Sequence, residues 1–174
     1  IKDILEFQPK PIMELAGRWP DADVDEFISS GQAPTFSQIT ALIIHELDQA
    51  MEFIHDGYRV LIAVWILSAN FHRIFLTFPR LSITAEKESG KTKLLTLIQT
   101  MAWNGFMRIS PTPAGLFRRI QSFRPTFLID EVEDLGNEDK REVLSIINSG
   151  YKRGGFVDRC EGKTHEVKTF GVYS

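Results

Sequence analysis

The chain has 174 residues, of which 43% are hydrophobic and 25% charged, and a formal net charge of -3. This is enough apolar material for one sizeable core with a small accessory region; it excludes a chain disordered by composition and a surface coated in basic groups, so nucleic-acid contact would need a local patch. A single cysteine, Cys160, cannot form an intramolecular disulfide and fits a reducing, cytoplasmic setting in a bacterial, archaeal or virus-infected cell.

Residues 1–36 carry four of the eight prolines, Pro9, Pro11, Pro20 and Pro34, which cut this stretch into short pieces suited to an entry arm. Ser37 is read as the N-cap of a helix to about Ile54, with Ile39, Leu42, Ile43, Leu47, Ala50, Met51 and Ile54 at helical spacing. Asp56-Gly57 punctuates, and a second helix is expected over Tyr58 to Phe75. Its apolar run from Val60 is interrupted by Asn70, His72 and Arg73, well short of the roughly 20 residues a membrane span needs. The two helices read as a hairpin packed beside the C-terminal part of the chain.

From Pro79 the pattern alternates strand and helix. Strands are expected at Arg80–Thr84, Phe106–Ile109 and Thr126–Asp130, and helices at Lys91–Trp103, from Thr112-Pro113 through Ile120, and at Glu138–Ser149. This order implies a parallel sheet with right-handed crossovers in an α/β domain. Gly155–Cys160 and His165–Tyr173, joined by Glu161-Gly162-Lys163-Thr164, read as a β-hairpin. The division expected is an arm and helix over 1–57 and a core over 58–174. The start at Ile1 and the stop at Ser174 suggest a piece of a longer protein, cut before a C-terminal lid.

The stretch Ala85-Glu86-Lys87-Glu88-Ser89-Gly90-Lys91-Thr92 lies after one expected strand and opens a helix. That is the context of a phosphate-binding loop of the Walker A kind. Backbone N–H groups and the helix N-terminus surround an anion, Lys91 reaches the β and γ phosphates, and the Thr92 hydroxyl ligates Mg²⁺. Ala85 stands where glycine is usual, which restricts the backbone there. The competing reading is a lysine-rich turn into a helix.

A second signal lies in "TFLIDE", Thr126 to Glu131, an apolar strand ending in two carboxylates. A buried parallel strand delivers Asp130 to its C-terminal edge, beside the phosphate loop and its Mg²⁺. Glu131 can then orient and deprotonate an attacking water. The complete strand and helix between Lys91 and Asp130 point to the additional-strand, catalytic-glutamate class of three-layer P-loop NTPases. The chain has no Asn-Lys-x-Asp guanine reader.

The phrases "TAEKESGKTKLL", "ISPTPAGLFRRI", "PTFLIDEVEDL" and "NSGYKRGGFVDRCEGKTHEVKTFGVYS" resemble the helicase-like ATPase domains of phage and plasmid replication proteins, which often follow a primase domain. Their layout is similar to that of the AAA+ superfamily 3 helicases, and the resemblance covers about residues 58–174. It implies an ATP- and Mg²⁺-dependent motor that forms a homo-oligomeric ring, such as a hexamer, around single-stranded DNA. It also implies a pore hairpin with Lys163 and His165 near its turn and Arg153 and Arg159 adding charge. A cation and an imidazole can contact phosphate, sugar or base without reading sequence. Ser174 falls where the family carries a polar sensor for the water or γ-phosphate. The alternatives are a nucleotide-dependent switch or scaffold that does not translocate DNA, and a small-molecule kinase.

Other residues have plainer readings. Arg118, Arg119 and Arg124 could face DNA or a neighbouring subunit, or be a solvated helix face. Trp65, Phe71 and Phe75 read as core packing. His45, His55 and His72 lack the Cys or carboxylate neighbours of a metal site.

Overall fold

The computed structural model describes residues 21–84, 86, 89–131 and 136–155, and the backbone of 156–161 and 166–171. The entry arm over 1–20, together with Ala85, Lys87, Glu88, Lys163, His165 and Ser174, lies outside the described residues.

Three helices come first: α1 (Asp21–Ser30), α2 (Phe36–Ala50) and α3 (Asp56–Ala69). The cap of α2 is Thr35 rather than Ser37. The Gln38 N–H donates to Thr35 Oγ1 at 3.3 Å, and the Thr35 N–H donates to Gln38 Oε1 at 2.8 Å. This reciprocal capping box satisfies two end donors at once and outcompetes a lone serine. Helix α2 stops at Ala50, where Met51 turns extended, instead of running to Ile54. Helix α3 is capped by His55, whose Nδ1 accepts from the Gly57 N–H at 3.1 Å. It ends six residues before the expected Phe75 because Asn70 folds its amide back on the Ile66 carbonyl at 2.9 Å, and a 3-10 turn over His72–Ile74 comes next.

The second half contains α4 (Lys91–Met101), β1 (Phe106–Ile109), α5 (Pro113–Phe123), β2 (Phe127–Asp130), α6 (Asn137–Gly150), β3 (Phe156–Glu161) and β4 (Glu166–Gly171). Strands β1 and β2 pair in parallel, from Phe106 opposite Phe127 to Ile109 opposite Asp130. Strands β3 and β4 form a separate antiparallel pair, in keeping with the expected hairpin. Thr112 caps α5 by accepting from the Gly115 N–H at 3.2 Å, with Pro113 as the first helical residue. No described helix is long and apolar enough to cross a membrane.

The architecture is therefore mixed helix and strand with a small parallel sheet. Among the described residues that sheet has two strands, not the three expected. Arg80–Thr84 carries no strand hydrogen bonding. Leu81 and Ile83 pack onto the core while residues 80, 82 and 84 stay exposed, so the alternation is there without a ladder. Between this segment and β2 lies a cavity of about 750 Å³, lined by Leu81, Ile83, Leu128, Leu116 and Ile146 among others.

Alternation along β2 separates two apolar clusters. Leu128 joins Ile43, Leu47, Ile62, Ile66, Leu94 and Ile98 from α2, α3 and α4. Phe127 and Ile129 pack against Leu116, Phe117, Ile120, Val143 and Ile146 from α5 and α6. With a side-chain period of two, Asp130 shares the face of Leu128, toward α4.

Candidate functional site

Gly90 precedes α4 with φ 87, a left-handed conformation that glycine adopts without steric cost. That bend turns an incoming segment directly into the first helical turn, where Lys91 and Thr92 are adjacent. Strand β2 delivers Asp130 to the same place. Lys91 Nζ lies 2.9 Å from Asp130 Oδ1, and Thr92 Oγ1 donates to Asp130 Oδ2 at 2.8 Å. The Glu131 N–H adds a third bond, to Oδ1 at 3.1 Å.

Asp130 is 3% exposed, yet it is held ionised. The hydrogen bond from Lys91 pulls its pKa below the ordinary carboxylate value most strongly, and burial opposes this. The Thr92 hydroxyl, the Lys91 charge and the Glu131 amide lower it further. Glu131 itself sits just beyond the strand with φ 57 and is exposed. A left-handed non-glycine residue is uncommon and costs energy. The neighbouring strand ends the same way, with Ser110 at φ 47. Lys91 and Glu131 both border the cavity beside β2.

The structure thus brings Gly90, Lys91, Thr92 and Asp130 together, with Glu131 adjacent and its carboxylate outside the bonds that Lys91 and Thr92 make to Asp130. Glu86 and Ser89 are exposed, and the Ser89 N–H donates to the Glu86 carbonyl at 3.3 Å. A hydroxyl and an ionised carboxylate are hard oxygen donors, and a pair of them suits Mg²⁺, which keeps several waters and takes few protein ligands. Among the described residues no group of three or more His, Cys, Asp or Glu is placed to hold a metal ion.

Arg153, expected near the hairpin turn, has its backbone tied elsewhere: its N–H donates to the Leu76 carbonyl at 2.8 Å. Arg119 lies over the rings of Phe106 and Phe123, at 4.7 and 5.1 Å, while Arg118 is exposed. Trp65 packs on the core and donates from Nε1 to the Pro79 carbonyl at 2.8 Å, but Phe71 and Phe75 are 41% and 40% exposed, not core.

Two residues without any sequence signal border the site. Lys93 Nζ bonds the Ala50 carbonyl at the end of α2, and the Met51 side chain comes within 3.9 Å of where a Cβ on Gly90 would stand. These contacts join segments far apart in the chain, which no local pattern announces. Comparisons with protein-family models, curated proteins and solved structures gave no match.

Proposed function

We propose that the chain is the ATP-hydrolysing part of a DNA-replication motor, translocating on single-stranded DNA as part of a homo-oligomeric ring. The observation that carries the nucleotide reading is the convergence of Lys91, Thr92 and Asp130 at a left-handed Gly90. In this reading the amides of the first turn of α4 and Lys91 bind the phosphates. Lys91 exchanges its present partner, Asp130, for the triphosphate. Thr92 and Asp130 would hold Mg²⁺, which would supply charge neutralisation to the triphosphate. Glu131 takes a proton from water as the water oxygen attacks the γ-phosphorus and the bond to ADP breaks. We also read Arg80–Thr84 as a third parallel strand of a three-layer core. Ser174, Lys163 and His165 keep the sensor and DNA roles implied by the resemblance.

The contact of Lys93 with α2 favours a second reading, a nucleotide-dependent switch that moves the helical hairpin without moving DNA. The test compares wild type with Lys91→Ala and Glu131→Gln for ATP binding and for phosphate release with and without single-stranded DNA. Lys91→Ala should reduce nucleotide binding at least tenfold, and Glu131→Gln should bind ATP but cut its turnover by about 10²-fold or more. Binding unchanged in Lys91→Ala defeats the site. Turnover indifferent to DNA, together with an unchanged response in Lys163→Ala/His165→Ala, favours the switch. Transfer of phosphate to a small acceptor identifies a kinase.

A further inference from the structure

Helix α3 is apolar on both of its sides. Inward it buries Ile62, Ala63, Ile66 and Ala69. At about 100° per residue the opposite side carries Val60, Leu61 and Val64 between Gly57 and Ser68. Leu61 and Val64 there are 55% and 47% exposed. The two charged residues of the helix are engaged with each other and with α2: Arg59 pairs with Asp56 at 3.5 Å and with Asp48 at 3.2 Å. A helix without a polar side is one that is covered all round, because apolar area left wet forgoes its burial free energy. Exposed Phe71 continues the stripe beyond the C-cap, and exposed Phe36 stands edge-on to it with ring centroids 5.6 Å apart.

Phe36 also marks where the chain arrives at this face. Six residue steps separate it from Ser30, the end of α1, and α1 begins at Asp21. With about 15 Å for α1 and about 20 Å for the link, Asp21 lies within roughly 35 Å of Phe36. The twenty residues ahead of Asp21 reach about 65 Å when extended, enough to run along the roughly 21 Å of α3.

The sequence of those twenty residues carries a matching apolar stripe. Ile12, Leu15, Ala16 and Trp19 recur at i, i+3, i+4 and i+7, and Glu14 and Arg18 fall opposite them in that period. Lys2, Lys10 and Arg18 balance Asp3, Glu6 and Glu14, so covering an uncharged face with this segment adds no net charge to it. A tethered segment meets the face at an effective concentration on the order of millimolar, an advantage that a second copy of the chain lacks.

We propose that residues 1–20 fold back as an apolar cover on the outward side of α3, with the stripe from Ile12 to Trp19 set against Leu61 and Val64. The cover does not depend on the nucleotide reading, and its test uses no nucleotide. On the whole chain, the rate of trypsin cleavage after Arg18 and the sedimenting mass are measured for wild type, Leu61→Glu/Val64→Glu and Ile12→Glu/Leu15→Glu. Both face residues are exposed, so the first variant keeps its core, which helical circular dichroism checks. The second variant alters no residue of either described cluster and keeps the test open if the first does not fold. A docked segment predicts that each variant is cut after Arg18 at least tenfold faster than wild type, with no change in sedimenting mass. The proposal is overturned if Arg18 is cut as fast in wild type as in the variants. A fall in sedimenting mass on substituting Leu61 and Val64 also overturns it, and assigns the face to a second copy of the chain.

Discussion

Asp130 stays charged at 3% exposure because Lys91, Thr92 and the Glu131 amide surround its oxygens. Its folded pKa lies below the ordinary 3.8, so its stabilisation is complete above that value and drains away as pH falls through the folded one. Lys91→Met removes the largest cause and leaves burial opposed only by the Thr92 hydroxyl and the Glu131 amide. Breaking a buried pair costs about 3–5 kcal/mol, and the partial exposure of Lys91 reduces this to about 2 kcal/mol here. In urea titrations across pH, wild type should lose stability as pH falls below 3.8, and Lys91→Met should lose less over the same range, so that the gap between them narrows. Gly105 poses a different constraint. A Cβ there would stand 2.1 Å from the Gln99 carbonyl oxygen, a backbone atom that cannot rotate away. Gly105→Ala should therefore shift the end of α4 against β1 and cost about 1–3 kcal/mol, read from the denaturant midpoint.

Among the elements, those specified by local chemistry are legible in the sequence. Phe106–Ile109 is the strand expected, and Thr112-Pro113 opens α5 as its cap and first-turn proline predict. Helix α2 begins elsewhere because Thr35 and Gln38 cap each other, a pairing present in the sequence that the choice of Ser37 passes over. Thr35→Ala should lower stability by about 1 kcal/mol, while Ser37→Ala should stay within about 0.5 kcal/mol; thermal melts of the two variants separate them. Arg80–Thr84 shows the opposite limit. A strand is defined by its neighbour, so the alternation of Leu81 and Ile83 places side chains but cannot supply a ladder to β2. The acidic and basic halves of the candidate phosphate site are readable for a related reason: Lys91, Thr92 and Asp130 each sit at an end of an element, where their direction comes from its period.

At the scale of the molecule, β2 is a partition. Its one face completes a cluster from α2, α3 and α4, and its other face a cluster from α5 and α6. The composition predicts one core; the single residue step from Leu128 to Ile129 divides it in two, and the same alternation sends Asp130 toward α4. Among the described residues β2 has β1 as its one strand neighbour and also borders a cleft of about 750 Å³ walled by side chains that include Leu81, Ile83 and Leu116. The gap is partly open to solvent, so water reaches the apolar wall that Leu81, Ile83 and Leu116 present there. Apolar area left wet is area withheld from burial, and a group that covered this wall would gain what the core itself forgoes.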